Sequence, residues 1–256
     1  MNMLELKNIY MNYHSKLGET RALENINIKV EKGEFISIVG PSGCGKSTLL
    51  NIISGLQKPS QGEVFIENVK VSGHCDKLGY MFQNDNLFQW LNVWQNVALG
   101  LRISHNLNKE NMEKLDVLLK NYGLWDFRNH KPSELSGGMR QRVALIRTLA
   151  MEPEVLLLDE PFSALDYQTR LNVSNEIYKI IKHEGKTAVM VTHDISEAIS
   201  TSSKVVILSS RPAKIKKIID ISFENKYSTP LSRREAPEFR LYFNSIWKEL
   251  EFDDRE

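Results

Sequence analysis

The sequence predicts an α/β fold: a mostly parallel sheet covered by helices, with an antiparallel β portion near the start and a helical subdomain inserted in the middle. Three observations carry this. In the second half, short apolar runs rich in β-branched residues alternate with helix-patterned segments. "VLLLDE" and "TAVMVTH" are continuous apolar runs, the pattern of strands covered on both faces. Residues 84–150 read as helical almost throughout, with Lys109 to Tyr122 and Met139 to Ala150 the clearest segments.

Taken in order, "LELKNIYM", "INIKV" and "FISIVG" are short strands, and "SIVGPSGCGKSTLLNIISGL" passes from a buried strand through glycines into an apolar helix. "GEVFIE" and "LGYMFQ" are further strands. After the helical region come "VLLLDE", a helix over Tyr167 to Glu184, "TAVMVTH", a helix over Ile195 to Ser202, and "KVVILSS". "KIKKIIDISF" reads as a last strand, and "ENKYSTPLSRREAP" is polar and turn-prone. Phe239, Tyr242, Phe243, Ile246, Trp247 and Leu250 then fall on one stripe of an amphipathic helix. That stripe suits docking on the chain's own core, on another chain or on a membrane surface. The expected organisation is one domain over 1–256: a core of about 1–83 and 151–222, a helical subdomain of about 84–150, and a tail of about 223–256. No internal repeat or low-complexity stretch interrupts it.

Composition narrows the classes. The 256 residues are 41% hydrophobic and 25% charged, ordinary for a globular chain able to bury a large core. A net charge of +1 lacks the basic excess of nucleic-acid binders, so no nucleic-acid partner is expected. No apolar run approaches the ~18 residues of a membrane span. "MNMLELKNIY" lacks the layout of a signal peptide, and a cytoplasmic chain is expected. Cys44 and Cys75 make neither a disulfide framework nor a zinc pattern, and Cys44 reads as a small filler.

Gly40, Gly45, Lys46 and Ser47 fit G-x-x-x-x-G-K-[ST] at a strand-to-helix junction. Glycines let backbone N–H groups turn inward around phosphate oxygens, here along Gly40, Pro41, Ser42, Gly43, Cys44, Gly45, Lys46, Ser47 and Thr48. Lys46 brings positive charge to the β- and γ-phosphates, and Ser47 offers a hydroxyl to Mg²⁺. Asp159, ending "VLLLD", is placed to hold Mg²⁺ through water. Glu160 follows, where a carboxylate can activate a water for in-line attack on the γ-phosphorus. The phosphate loop alone leaves open kinases, GTPases, helicases and transport ATPases. A GTPase would want a guanine-reading "NKxD", which is missing. "LSGGMRQR" is a second stretch built like an anion-binding helix N-terminus.

"GPSGCGKST", "LSGGMRQR", "VLLLDEPFSALD" and "VMVTHD", in that order, resemble the nucleotide-binding subunit of an ABC transporter over about Met3 to Ser210. The resemblance implies the ABC ATPase form of the P-loop NTPase fold, with ATP and Mg²⁺ as cofactors. It implies that Gln83 touches Mg²⁺ or the attacking water and that His193 is the switch contacting the γ-phosphate. Glu160 and Lys46 complete the expected catalytic set, and Ser47, Gln83 and Asp159 the metal set. Ser136, Gly137 and Gly138 match the signature motif, and Ser163 to Asp166 match the loop that crosses to the partner subunit. Tyr13 resembles the aromatic that stacks on adenine, although "HSKLGET" reads as a longer loop than minimal; packing on the first strands is its other reading.

The resemblance further implies a head-to-tail homodimer, with ATP between one subunit's phosphate loop and the other's signature helix. Both grips for phosphate are then accounted for. It also implies integral membrane permease subunits, an extracytoplasmic solute-binding protein acting through them, and a place on the cytoplasmic face of the cell membrane. Phe82, Phe88, Trp90 and Trp94 suit either a groove for a permease helix or packing inside the helical subdomain, with Phe88 and Trp90 the expected interface pair. "LSGGMRQRVAL", "PFSALDYQTR", "LSSRPAKI" and the short tail resemble import ATPases of the nitrate, sulfonate and taurine type. The alternatives are an exporter ATPase or a soluble, non-transport ABC ATPase. The latter usually carries tandem cassettes or a long coiled coil. A non-hydrolysing regulatory module would be expected to lack Glu160 or His193.

Overall fold

The computed structural model describes residues 2–15 and 18–251. The chain begins with β1 (Asn2–Ser15), β2 (Gly18–Glu31) and β3 (Phe35–Val39), then α1 (Lys46–Ile53), β4 (Gln61–Ile66), β5 (Val69–Lys70) and β6 (Leu78–Met81). The helical region holds α2 (Val93–Val97), α3 (Leu99–Ile103), α4 (Lys109–Asn121) and α5 (Gly137–Leu149). The core resumes with β7 (Val155–Asp159), α6 (Tyr167–His183), β8 (Thr187–Val191), α7 (Ile195–Thr201), β9 (Lys204–Leu208) and β10 (Ile215–Asp220). The tail adds α8 (Pro230–Arg233) and α9 (Pro237–Glu251).

The central sheet has the order β10-β9-β3-β8-β7-β6, parallel except for β10. All five residues of β3 and of β8 are buried, as continuous apolar runs require when helices cover both faces. β6 and β7 pair directly from Leu78↔Val155 to Met81↔Leu158, although the whole helical region lies between them in sequence. That region is therefore an insertion whose ends return to adjacent strands. Val97, Leu119 and Leu145 share one apolar cluster with Leu158 and Met190, which seats the insertion on the sheet.

A second, antiparallel sheet has the order β2-β1-β4-β5. Its hairpin is longer than the apolar pattern predicts. The ladder runs from Asn2↔Glu31 through Asn12↔Arg21, Tyr13↔Thr20 and His14↔Glu19 to Ser15↔Gly18. Most of "HSKLGET" is thus paired strand, not loop; Lys16 and Leu17 lie outside the described residues. Side chains from Gly18 to Arg21 are exposed, so this end is held by main-chain bonds and leaves no buried pattern in the sequence.

The amphipathic stripe of α9 docks on its own chain. Ile246 is fully buried in a cluster with Val39, Ile199 and Ile207, and Phe239, Tyr242, Phe243 and Leu250 pack against it. Trp247 stays half exposed.

Candidate active site

The phosphate loop leaves the C-terminal end of β3 and enters α1. Gly45 sits at φ 123°, a conformation that side chains rarely adopt, and a Cβ there would lie 2.9 Å from Leu23 Cδ2. No side chain caps α1, and its first turn holds no acidic residue. The N–H groups that open a helix have no intrahelical partner, so this end fits an anion by dipole and by donors. Lys46 is buried and donates from Nζ to the carbonyl oxygens of Gly40 (2.8 Å) and Pro41 (2.9 Å), arching the loop over its own ammonium. The Arg211 guanidinium donates to Gly43 O. Cys44 is buried, and burial raises its thiol pKa above the ordinary value, as suits a filler.

Asp159, at the end of β7, accepts from Ser47 Oγ (3.1 Å) and from Tyr80 Oη (3.1 Å). Its pKa is raised by partial burial, with the Glu160 charge acting in the same direction. Burial also raises the Tyr80 hydroxyl, with the Asp159 charge adding to it, so it stays a donor. The Ser47 hydroxyl beside a carboxylate fits Mg²⁺, which takes oxygen ligands, usually one or two carboxylates together with phosphate oxygens and water.

Glu160 projects from a strained residue with φ 44° and donates its N–H to Val191 O at 3.0 Å, locking strand end to strand end. His193 Nδ1 lies 3.0 Å from Glu160 Oε2, and Gln83 Nε2 reaches the same oxygen at 3.5 Å and Ser163 Oγ at 3.2 Å. Glu160, His193 and Gln83 come from separate segments at the C-terminal ends of β7, β8 and β6, where an open α/β sheet binds ligands. Tyr13 is 40% exposed, and its Oη lies 3.1 Å from Thr48 Oγ1 and donates to Gln57 Oε1 at 3.2 Å. The ring therefore stands beside the phosphate loop.

The signature residues have different neighbours. Ser136 caps α5 by accepting from Met139 N (3.3 Å). A Cβ on Gly137 would meet Leu165 at 3.0 Å, and one on Gly138 would meet Val173 at 2.6 Å. Gly138 thus lets α5 approach α6, a packing role. Within one chain, the nearest neighbours of these glycines belong to α5, α6 and the loop before α6, not to the phosphate loop.

Several positioning residues are not evident from the sequence. Arg170 of α6 donates to Leu165 O (3.0 Å) and to Asp194 Oδ2 (3.5 Å), tying the "SALD" loop to the segment after His193. Arg140 Nε pairs with Asp85 at 2.9 Å, and Arg147 donates to the carbonyls of Asp85 (2.8 Å) and Asn86 (2.7 Å). Together they fix the loop after Gln83 to α5. A charged residue on an otherwise apolar helix face is the one sequence cue to such clamps. Of the aromatics after Gln83, Trp94 packs in the subdomain and donates to Asp116 (2.8 Å), while Phe82, Phe88 and Trp90 are exposed. Buried Asn96 holds the turn below Phe88 and Trp90 through Phe88 N (2.8 Å) and Leu91 O (3.2 Å).

Glu197 carries a pH prediction. It is buried and accepts from Thr192 Oγ1 at 2.8 Å. Burial, aided by the Asp194 charge, pushes its pKa from 4.5 up to about 7 against the opposing effects of Thr192, Arg170 and His193. The folded chain therefore holds this proton more tightly than the unfolded chain. Its stabilising contribution is complete below about 4.5 and is lost as pH rises through about 7. Glu197→Gln mimics the protonated form. Unfolding free energies of variant and parent from pH 5 to 8 are expected to diverge in the variant's favour, approaching roughly 3 kcal/mol. A difference flat in pH contradicts this assignment.

The ABC transporter family model matches residues 23–163. The chain is 46% identical over 250 residues to the Bacillus subtilis protein YtlC, an uncharacterized ABC transporter ATP-binding protein, spanning 98% of this chain and 96% of that one. It is 43% identical over 241 residues to the aliphatic sulfonates import ATP-binding protein SsuB of Bacillus cereus, spanning 94% and 93%. A solved structure similar to it is the ATP-binding cassette MJ0796, a dimer in a post-hydrolysis state bound to ADP and Pi. The TM-score is 0.73 and the identity 37%, over 86% of this chain and all of that one. The chain belongs to the ABC transporter family, as an ATP-binding, ATP-hydrolysing subunit with the ABC ATPase fold.

Proposed function

We propose that two copies of this chain close head to tail around ATP and drive a separate membrane permease that imports a small solute of the sulfonate, nitrate or taurine kind. The observation that carries the reading is the division of the site. Lys46, Ser47, Asp159, Glu160, Gln83 and His193 gather on one surface, while Ser136 and Gly137 lie at the start of α5, beside Leu165. A second copy supplies the missing half. The import direction and cargo class rest on the sequence resemblance and on the sulfonate-import relative. The chain then sits at the cytoplasmic face of the membrane, held by its permease, with Phe88 and Trp90 as docking aromatics, and an extracytoplasmic solute-binding protein acts through the permease.

In this reading Lys46 and the loop amides bind the β- and γ-phosphates, and Tyr13 stacks on adenine. Ser47, Asp159 and Gln83 hold Mg²⁺, which supplies charge neutralisation at the phosphate oxygens. Glu160 takes the proton of the attacking water as its oxygen bonds to the γ-phosphorus and the bond to ADP breaks. His193 orients Glu160 and meets the γ-phosphate. Loss of that phosphate removes contacts shared by both copies and opens the dimer.

Mixing two inactive variants tests the arrangement. Lys46→Ala lacks a working phosphate loop and Gly137→Asp a working signature. A mixed dimer still has one intact composite site, so the mixture is expected to hydrolyse ATP where neither variant alone does. No recovery on mixing overturns the head-to-tail arrangement. For the transport reading, proteoliposomes holding the permease should show ATP hydrolysis that rises when the liganded solute-binding protein is added outside; indifference to it contradicts import.

A further inference from the structure

The tail reaches the active site. A cavity of about 300 Å³ is lined by Pro41 and Ser42 of the phosphate loop, by His193, and by Trp247, Leu250 and Glu251 at the end of α9. The helix is firmly held there. Ile246 is fully buried, Lys217 Nζ pairs with Glu249 at 3.0 Å, and Lys216 Nζ donates to Glu249 O at 2.6 Å. Trp247 does not join that buried face. The residue is 49% exposed, and its ring lies nearly parallel to the Phe243 ring, with centroids 6.1 Å apart and an interplanar angle of 11°. The indole is thus a large, half-exposed apolar surface stacked on Phe243 at the rim of the phosphate site.

We propose that Trp247, with Leu250 beside it, is the tail's contribution to the ATP-closed dimer interface, and that its occupant is a second copy of this chain. The inference rests on the head-to-tail reading. Its own warrant is continuity: Pro41, Ser42 and His193 face the incoming copy in that reading, and the same cavity is walled by Trp247 and Leu250. A subunit that closes on the phosphate loop covers the indole in the same motion. Pre-ordered, half-exposed aromatics bordering a site are typical interface anchors, because they bury much area for little lost side-chain freedom. Closure over ATP would then bury the end of α9, and changes in the tail would alter how tightly the dimer shuts.

The test uses the full chain carrying Glu160→Gln, at saturating Mg-ATP, with dimer dissociation measured by sedimentation. Adding Trp247→Ser is expected to weaken the dimer by about tenfold, in the range of an interface aromatic, and Trp247→Phe to restore most of it. Thermal melting without nucleotide monitors the fold. If Trp247→Ser melts early, Trp247→Gln, whose methylenes still cover Phe243, replaces it. A dimer equally tight with and without the indole overturns the proposal and leaves the head-to-tail reading intact. A normal dimer with lost permease association also overturns it, making the permease the occupant. A Glu160→Gln parent that stays monomeric at saturating Mg-ATP overturns the head-to-tail reading and this inference with it.

Discussion

Glu160→Gln is expected to slow ATP hydrolysis by about 10²–10⁴-fold, the range for removing a general base. ATP should still bind, and the chain should accumulate as a closed dimer. Among the described residues the side chain hydrogen-bonds His193 Nδ1 at 3.0 Å and Gln83 Nε2 at 3.5 Å, and both contacts run through Oε2. Glutamine preserves the shape and loses the basic carboxylate. It touches neither the Lys46 carbonyl contacts nor the Ser47–Asp159 hydrogen bond, so the grip on phosphate and metal survives. The strained backbone at φ 44° and the Glu160 N–H to Val191 O bond do not depend on the carboxylate. Phosphate release under single-turnover conditions, with chromatography in Mg-ATP, reads both effects. Hydrolysis at the parent rate would remove Glu160 from the role of base.

Gly137→Asp is expected to abolish hydrolysis, a loss of about 10³-fold or more, while the monomer still binds ATP. The variant should fold. Gly137 is the first residue of α5, where a carboxylate interacts favourably with the helix dipole. The added Cβ meets Leu165 Cδ2 at 3.0 Å and Arg140 Nη2 at 3.8 Å, both ends of side chains. The damage appears when a second copy closes, because the new carboxylate then confronts the γ-phosphate where backbone donors should stabilise developing charge. Gly138 would be a poorer choice for this experiment. A Cβ there lies 2.6 Å from Val173 Cγ2, so packing against α6 and loss of phosphate contact would be confounded. Turnover assays and equilibrium binding of a fluorescent ATP analogue separate the outcomes. Normal turnover would refute the shared-ligand account of "LSGGMRQR".

Much of the site was legible because its chemistry is local in the chain. A phosphate loop needs its glycines, its lysine and its hydroxyl within a few residues at a strand-to-helix junction, and Gly40 to Thr48 show all of them in order. Helix caps are local too: Ser136, Asp166 and Asp194 cap α5, α6 and α7 with their own side chains. The parallel core was equally plain, since β3, β7 and β8 carry apolar residues at nearly every position.

Other features depend on pairings between distant segments. Tyr80 on Asp159, Arg140 and Arg147 on the loop after Gln83, Arg211 on Gly43, and Arg170 between Leu165 and Asp194 are each contacts that no spacing rule announces. The outer half of the β1–β2 hairpin leaves no apolar pattern in the sequence because main-chain bonds, not buried side chains, hold it. By itself, then, the sequence determined the fold class and the family, because these are written in short contiguous motifs and apolar runs. Only the tertiary structure decided where α9 docks, which arginines clamp the loops after Gln83 and before α6, and that Trp247 stands at the rim of the phosphate loop. Those outcomes follow from side chains meeting across the packed core, where burial and geometry, not sequence distance, select the partner.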